Sequence, residues 1–398
     1  MTNRRQLLKT AIAAGTALLQ PENLFARATK QANAQAGETI YVNPAAGRDN
    51  NSGAKDAPLK SLPEVARRVN ASTGTGAFTA LLAEGIYSVD ETVLLSPKNR
   101  KFTKESRLTI RAEVLPDDPE WNIGRMPTLI HTMPLGSSWN GRPDPLGGVA
   151  DGILVETSHV TIQGLRILGI PVVESPKPGQ IRRLYAISRL RRDLEDLEVA
   201  QCLLVGDELI APNHVSIIAN GNGVNVHHCI FRGQKISVVY WTPGSTGHSL
   251  HHCVLHDLYG SAVWTAGVAN DFEYKNNVVS DSNYIWTAQG GASALADAAA
   301  GRGGRQAAPA PPAQAKEPVH YQLIDSYLAH NRRLAGSGTG ARLEYKDIDA
   351  GFLEMVGTKT TEQSIVFERD QSKRNYLHPV GGSEAAKVGA GLFLKPTI

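Results

Sequence analysis

The chain has 398 residues, 41% of them apolar and 20% charged, enough for one long core or two ordinary ones and too apolar for a disordered protein. Its 41 Lys+Arg against 38 Asp+Glu leave a formal charge of +3, which excludes the basic footprint of a nucleic-acid binder. Three cysteines are too few for a disulfide scaffold or a Cys-rich zinc module.

The first element reads as an address. Asn3-Arg4-Arg5-Gln6-Leu7-Leu8-Lys9 precedes a weakly apolar run over 11–19, and Ala34-Gln35-Ala36 supplies a small-residue cleavage site. This predicts a twin-arginine-type signal over residues 1–36 and a periplasmic or secreted protein. The apolar run is about half the ~20 residues a bilayer span needs, so no membrane span is expected after cleavage. Without those residues the balance is 36 basic against 37 acidic. A short helix follows. Ser61 and Glu64 stand at capping-box spacing, and Leu62, Val65, Ala66 and Val69 form one apolar stripe.

From residue 160 the chain repeats itself. Val160–Ile167, Leu197–Leu204, Val224–Phe231, His248–Leu255, Phe272–Val279 and Tyr321–Leu328 each read apolar-x-apolar-x-x-(mostly small or polar)-x-apolar. The sixth position falls at Leu165, Cys202, Cys229, Cys253, Asn277 and Ser326, with steps of 37, 27, 24, 24 and 49. Period-2 alternation inside each unit excludes helical solenoids and predicts short parallel strands stacked 4.7–4.9 Å apart, like residues in columns. The 49-residue step holds an Ala/Gly/Pro-rich insertion over 289–318, and prolines suggest a smaller excursion near 171–183. Beyond 331 the units degrade, which predicts one or two irregular coils and a C-terminal cover running from Gly382 to Phe393.

The coil pattern resembles the right-handed parallel β-helix of the pectate-lyase-like family. Tyr41-Val42, Gly47 to Gly53, Pro58 to Leu62 and Glu84-Gly85-Ile86-Tyr87 resemble that family's opening as well. The resemblance implies a single domain over 37–398 of roughly ten coils, capped by the short helix. It also implies an Asn-type inward turn position, which Asn277 matches and the cysteines do not. By the same resemblance the partner is a polysaccharide or oligosaccharide, a monomer is expected, and the chemistry is β-elimination at a uronate. A glycoside hydrolase and a non-catalytic carbohydrate-binding protein remain alternatives, because this fold hosts all three.

Columns define the candidate residues. Outward positions stack as Arg232/His256/Ser280 and His227/His251/Lys275, while Asp207, Lys235, Asp257 and Asp281 fall near one another in the turn beyond. Elimination needs a base beside the uronate carboxylate and a cation to take up charge. Lys235, His256 and Arg232 are candidates for base or clamp, and Asp257 and Asp281 for Ca²⁺ ligands or a glycosidase pair. Glu344 and Asp347 add two acids from a later coil. Trp241, Trp264 and Trp286, spaced by 23 and 22 residues, make either an outward sugar platform or an inward core stack, with Tyr240 and Lys275 as further substrate contacts. The doublets His227-His228 and His251-His252 read as a stacked polar column rather than as metal ligands, and no metal residue is assigned. The cysteines are expected as buried free thiols.

Overall fold

The computed structural model describes residues 37–133, 138–139, 142–143, 148–169, 183–207, 213–288, 320–338 and 345–395. The expected signal (1–36), nearly all of the excursion near 171–183, the inserted loop 289–318 and Glu344 lie outside the described residues.

The chain winds into a parallel β-helix. Three sheets carry ten, nine and nine strands among the described residues, and all their pairings but the last are parallel. One turn places Val224–His227 in the first sheet, Ile230–Arg232 in the second and Ile236–Tyr240 in the third. The next repeats this with Ser249–His251, Val254–His256 and Ser261–Thr265. Alternation decides which side chains turn inward: Val224, Val226, Phe231, Val238 and Tyr240 all join the main core.

Between the first and second sheets the chain turns in two residues. Gln201, His228, His252, Asn276 and Asp325 take the left-handed position, with φ from +46° to +54°. The small side chain that follows points inward and accepts the backbone N–H of the coil before it. Cys202 N reaches Cys229 Sγ at 3.5 Å, Cys253 N reaches Asn277 Oδ1 at 2.9 Å, and Asn277 N reaches Ser326 Oγ at 3.1 Å. Leu165 and all three free thiols lie fully buried in this single file, and burial pushes the Cys202 and Cys229 thiols well above their usual range.

Helix Leu62–Ala71 buries the expected stripe in the main core, and Ser61 Oγ accepts from Glu64 N. The capping box is only half formed. Asp49, not Glu64, accepts the Ser61 N–H, and Glu64 instead pairs with Arg67 and Arg68.

The C-terminal residues do form a cover, and it lies along the side of the tube. After Lys359–Thr361 the chain turns back and lies lengthwise on the second sheet. Phe367, Leu377, Leu392 and Phe393 pack there on Leu203, Ile230, Val254, Val278 and Trp121. The cause is composition: these strands carry apolar residues outward as well as inward, and that second face must be covered.

One expectation needs correction: the tryptophans do not form a column. On the third sheet Tyr240 pairs with Thr265, Val239 with Trp264, and Val263 with Trp286. One position on each strand (Ser237, Ala262, Ile285) is left out of the register, and the coils measure 25 and then 23 residues. Trp264 therefore falls two residues short of register with Trp241 and keeps its face, whereas Trp286 falls one short of register with Trp264 and turns to the other. Trp286 points inward, stacked on Tyr321 at 4.9 Å and donating to Thr265 Oγ1 at 3.0 Å. Trp264 points outward but is covered, its ring 5.2 Å from the half-buried Trp241. Tyr240 is likewise a core residue whose hydroxyl donates to Ser249 O at 3.0 Å. Neither Trp286 nor Tyr240 can meet a sugar.

Candidate functional site

The structure separates the sequence-derived candidates into two groups. Between the second and third sheets, Gly206, Gly233, Asp257, Asp281 and His330 form one file, each passing its backbone N–H to the next coil. Gly233 holds the left-handed place in its coil, so Lys235 falls two residues beyond this file and Asp207 one residue beyond. Lys235 therefore does not belong with the two aspartates. It turns to the corner of the third sheet.

Arg232, His256 and Ser280 do stand in register on the outer face of the second sheet. The C-terminal strap lies over them. His256 Nδ1 is 2.9 Å from Ser280 Oγ and 3.4 Å from Asp281 Oδ2, while Arg369 donates to Nε2 at 3.2 Å and Phe367 covers the ring at 4.5 Å. An Arg donor at Nε2 requires the proton on Nδ1, so neither nitrogen retains a free lone pair for a base. Burial, before any charge, lowers the His256 pKa. Asp281 Oδ1 accepts from His330 Nδ1 and Ser364 Oγ, each at 2.8 Å. Burial would raise its pKa, and the hydrogen bonds from His330, Ser364 and Ser280 outweigh it. This network fastens Ser364, Phe367 and Arg369 to the tube. With its oxygens so engaged, Asp281 does not fit a Ca²⁺ site with Asp257, which is exposed. Lys275 stands one coil beyond His251 on the first sheet, paired with Glu273.

The corner of the second and third sheets differs. Running along it are His131 at the end of Pro127–His131, Asp151, His214, Gln234, Lys235 and Tyr345. His131 lies so close on Gly152 that a Cβ there would fall 2.4 Å from the ring, and His214 packs in the same way on Gly206 beside Gln234. Lys235 N donates to His214 O at 2.9 Å, and His214 N donates to the Tyr259 hydroxyl at 3.4 Å. Lys235 Nζ sits 5.6 Å from the centroid of the Tyr345 ring. Tyr345 stands 5.5 Å from Tyr284, whose hydroxyl donates to Asp347 Oδ1 at 2.6 Å, and Arg333 Nε holds the other oxygen at 2.9 Å. Asp347 is therefore a clamp that brings Tyr345 down over Lys235.

Unpaired polar atoms concentrate at this corner. Both His131 ring nitrogens, Asp151 Oδ1, His214 Nδ1, Gln234 Oε1 and the Tyr345 hydroxyl are buried without a hydrogen-bond partner among the described residues. A buried polar atom left unpaired costs about 1–3 kcal/mol, so such clusters mark places kept for another purpose. Burial shifts the acid–base groups accordingly. The Lys235 ammonium is pulled down to about 8, Asp151 is pushed up to about 6, His131 falls to about 4 and His214 to about 3, while the Tyr345 phenol rises. At neutral pH this corner offers an amine that loses its proton more readily than an ordinary lysine, beside a phenol that keeps its own. Asp151 pairs with Tyr185, Tyr185 with Val215 and Val215 with Ile236. It thus lies three coils, about 14 Å, from Lys235. That is too far to share a proton, though it lines the same side of the tube.

Sequence reasoning found Lys235 and missed Tyr345, Asp151, His131 and His214. Of these only Tyr345 carried a local signal, standing between the two acids noted at Glu344 and Asp347.

Among the described residues no helix is long and apolar enough to cross a membrane. No protein-family model matches the chain, and no curated protein matches it. Among solved structures it is similar to a rhamnogalacturonan lyase at 13% identity, with a TM-score of 0.45 over 89% of this chain and 100% of that one. A lacto-N-biosidase from Eubacterium ramulus shares 11% identity at a TM-score of 0.43. That match covers 79% of this chain, which spans only 58% of the biosidase. A pectin methylesterase in complex with a hexasaccharide shares 10% at 0.40, over 90% of this chain and 98% of that one. At such identities and scores these likenesses carry no argument about the reaction.

Proposed function

We propose that this chain is an exported enzyme that cleaves a uronate-containing polysaccharide by β-elimination, with Lys235 as base and Tyr345 as acid. The observation that carries the reading is the buried Lys235 ammonium facing the Tyr345 ring at 5.6 Å, beside a hydroxyl without a partner. In the reaction the neutral Lys235 amine takes the proton next to the uronate carboxylate. The electron pair forms the new carbon–carbon double bond as the glycosidic oxygen leaves, and the Tyr345 hydroxyl protonates that oxygen. A phenol kept protonated by burial is suited to that second step. Export is supported by the paired arginines and the cleavage motif before residue 37.

The hydrolase alternative needs two carboxyl groups about 5–9.5 Å apart. Asp257 and Asp281 are neighbours in one file, yet Asp281 Oδ1 is held by His330 and Ser364 under the strap, and its pKa is lowered rather than raised as a glycosidase acid requires. That engagement favours elimination.

The test is a panel of polyuronates. Ultraviolet absorbance from the unsaturated product, lost in Lys235→Met and strongly reduced in Tyr345→Phe, is the expected result. New reducing ends without that absorbance, or undiminished turnover in Lys235→Met, would overturn the assignment.

A further inference from the structure

The two histidine doublets lie on the far side of the tube from Lys235, where the first sheet turns into the second. His227 and His251 are register partners at the ends of their strands, their rings parallel within 3° and 5.0 Å apart. His228 and His252 follow in the left-handed turn, parallel within 4° and 4.7 Å apart. Parallel stacking at coil spacing follows from register alone and calls for no ligand.

What register does not explain is how each doublet is turned. Within a doublet the ring planes are nearly perpendicular, at 88° and 86°. The two Nδ1 atoms face each other at 3.1 Å in the first doublet and 3.0 Å in the second. In addition, Glu198 Oε1 lies 3.2 Å from His227 Nε2, while its other oxygen accepts from Thr161 Oγ1 at 2.8 Å. A carboxylate at Nε2 fixes the proton there and leaves Nδ1 with its lone pair, the arrangement by which carboxylates orient metal-bound imidazoles. Ring nitrogens of His228, His251 and His252 all lie within 4.8 Å of one another.

We propose that His228, His251 and His252 bind a late first-row divalent cation of the zinc class, with His227 oriented by Glu198 beside them. Zn–N bonds of about 2.0–2.1 Å in a tetrahedral site put neighbouring nitrogens roughly 3.3 Å apart. The His251–His252 separation of 3.0 Å already stands near that value, and the nitrogens of all three ligands lie within 4.8 Å of one another. Imidazole donors suit Zn²⁺, Ni²⁺ and Cu²⁺ and disfavour Ca²⁺ and Mg²⁺, which take oxygen ligands. Lys275, one coil on from His251, is paired with Glu273. There the next doublet becomes Lys275-Asn276, which confines the site to two coils.

That same substitution supplies a safe variant. His252→Asn installs the residue that the following coil carries at the same left-handed position, so the tube should fold unchanged. Tag-free protein stripped with a chelator is titrated with Zn²⁺ by calorimetry, and Cu²⁺ loading is followed by electron paramagnetic resonance. The expected result is one equivalent of Zn²⁺ bound at micromolar Kd or tighter, nitrogen hyperfine structure on copper, and at least tenfold weaker binding in His252→Asn. Absence of saturable binding overturns the proposal. So does a smaller loss in a His252→Asn protein whose metal-free unfolding midpoint matches the parent.

Discussion

Asn277 offers the most direct measure of what the inward file contributes. Its side chain is fully buried, its Oδ1 accepts the Cys253 N–H at 2.9 Å and its Nδ2 donates to Leu250 O at 2.8 Å. Asn277→Ala strands that N–H inside the tube at a cost of about 1–3 kcal/mol, and the carbonyl adds a smaller amount because it has a second lone pair. The expected loss is about 2–4 kcal/mol. Asn277→Ser restores an acceptor, much as Ser326 Oγ already accepts the Asn277 N–H at 3.1 Å, and should lose about 1 kcal/mol or less. Urea unfolding followed by far-ultraviolet circular dichroism reads both, as midpoint shifts at unchanged slope. If the alanine variant unfolds within about 0.5 kcal/mol of the parent, or the serine variant is no better than alanine, the stacking argument fails.

Three further outcomes follow from the same geometry. Because elimination uses the neutral amine and burial brings the Lys235 pKa to about 8, log kcat/KM should rise with unit slope below that pH and level above it; a flat profile from pH 6 to 9 would refute Lys235 as base. The folded-state pKa of Asp151 is raised to about 6, so its favourable contribution is complete below about 3.8 and is lost as pH rises through 6. Asp151→Asn should accordingly gain on the parent by up to about 3 kcal/mol between pH 4 and 7, with no further gain above, as read by unfolding midpoints. Trp286→Ala should cost about 3–5 kcal/mol, since it empties a fully buried indole site, whereas Trp241→Ala, at a half-buried position, should cost much less. Equal losses in the two would contradict their assignment to opposite faces.

The path of the chain was legible because its signal is redundant. Six units repeat one alternation, and Leu165, Cys202, Cys229, Cys253, Asn277 and Ser326 report the same column from different coils. The tryptophans were misread for a physical reason: a one-residue difference between their spacing and the coil length reverses the face of a strand residue, as it does between Trp264 and Trp286, while the two-residue difference between Trp241 and Trp264 does not. The site was less legible still. Tyr345 reaches Lys235 only because Lys346–Asp347 runs back against Arg333–Ser337, a reversal that no repeat announces. Asp151 and His131 come from coils whose spacing is too irregular to align. Arg232, His256 and Ser280 do stand in register as one column, and what the sequence did not disclose was the strap laid over them.

That strap changes how the molecule comes apart. A stack of coils in contact only with their neighbours can fray from either end, one turn at a time. Here Gln201 donates to Leu392 O at 2.8 Å, and Arg374 donates to the carbonyls of Pro116, Asp118, Pro119 and Trp121. The last residues of the chain are thereby tied to some of its earliest turns. The C-terminal coils cannot unwind in sequence until this lengthwise seam has been peeled away, so a polymer expected to melt gradually is converted into one that opens in a single step.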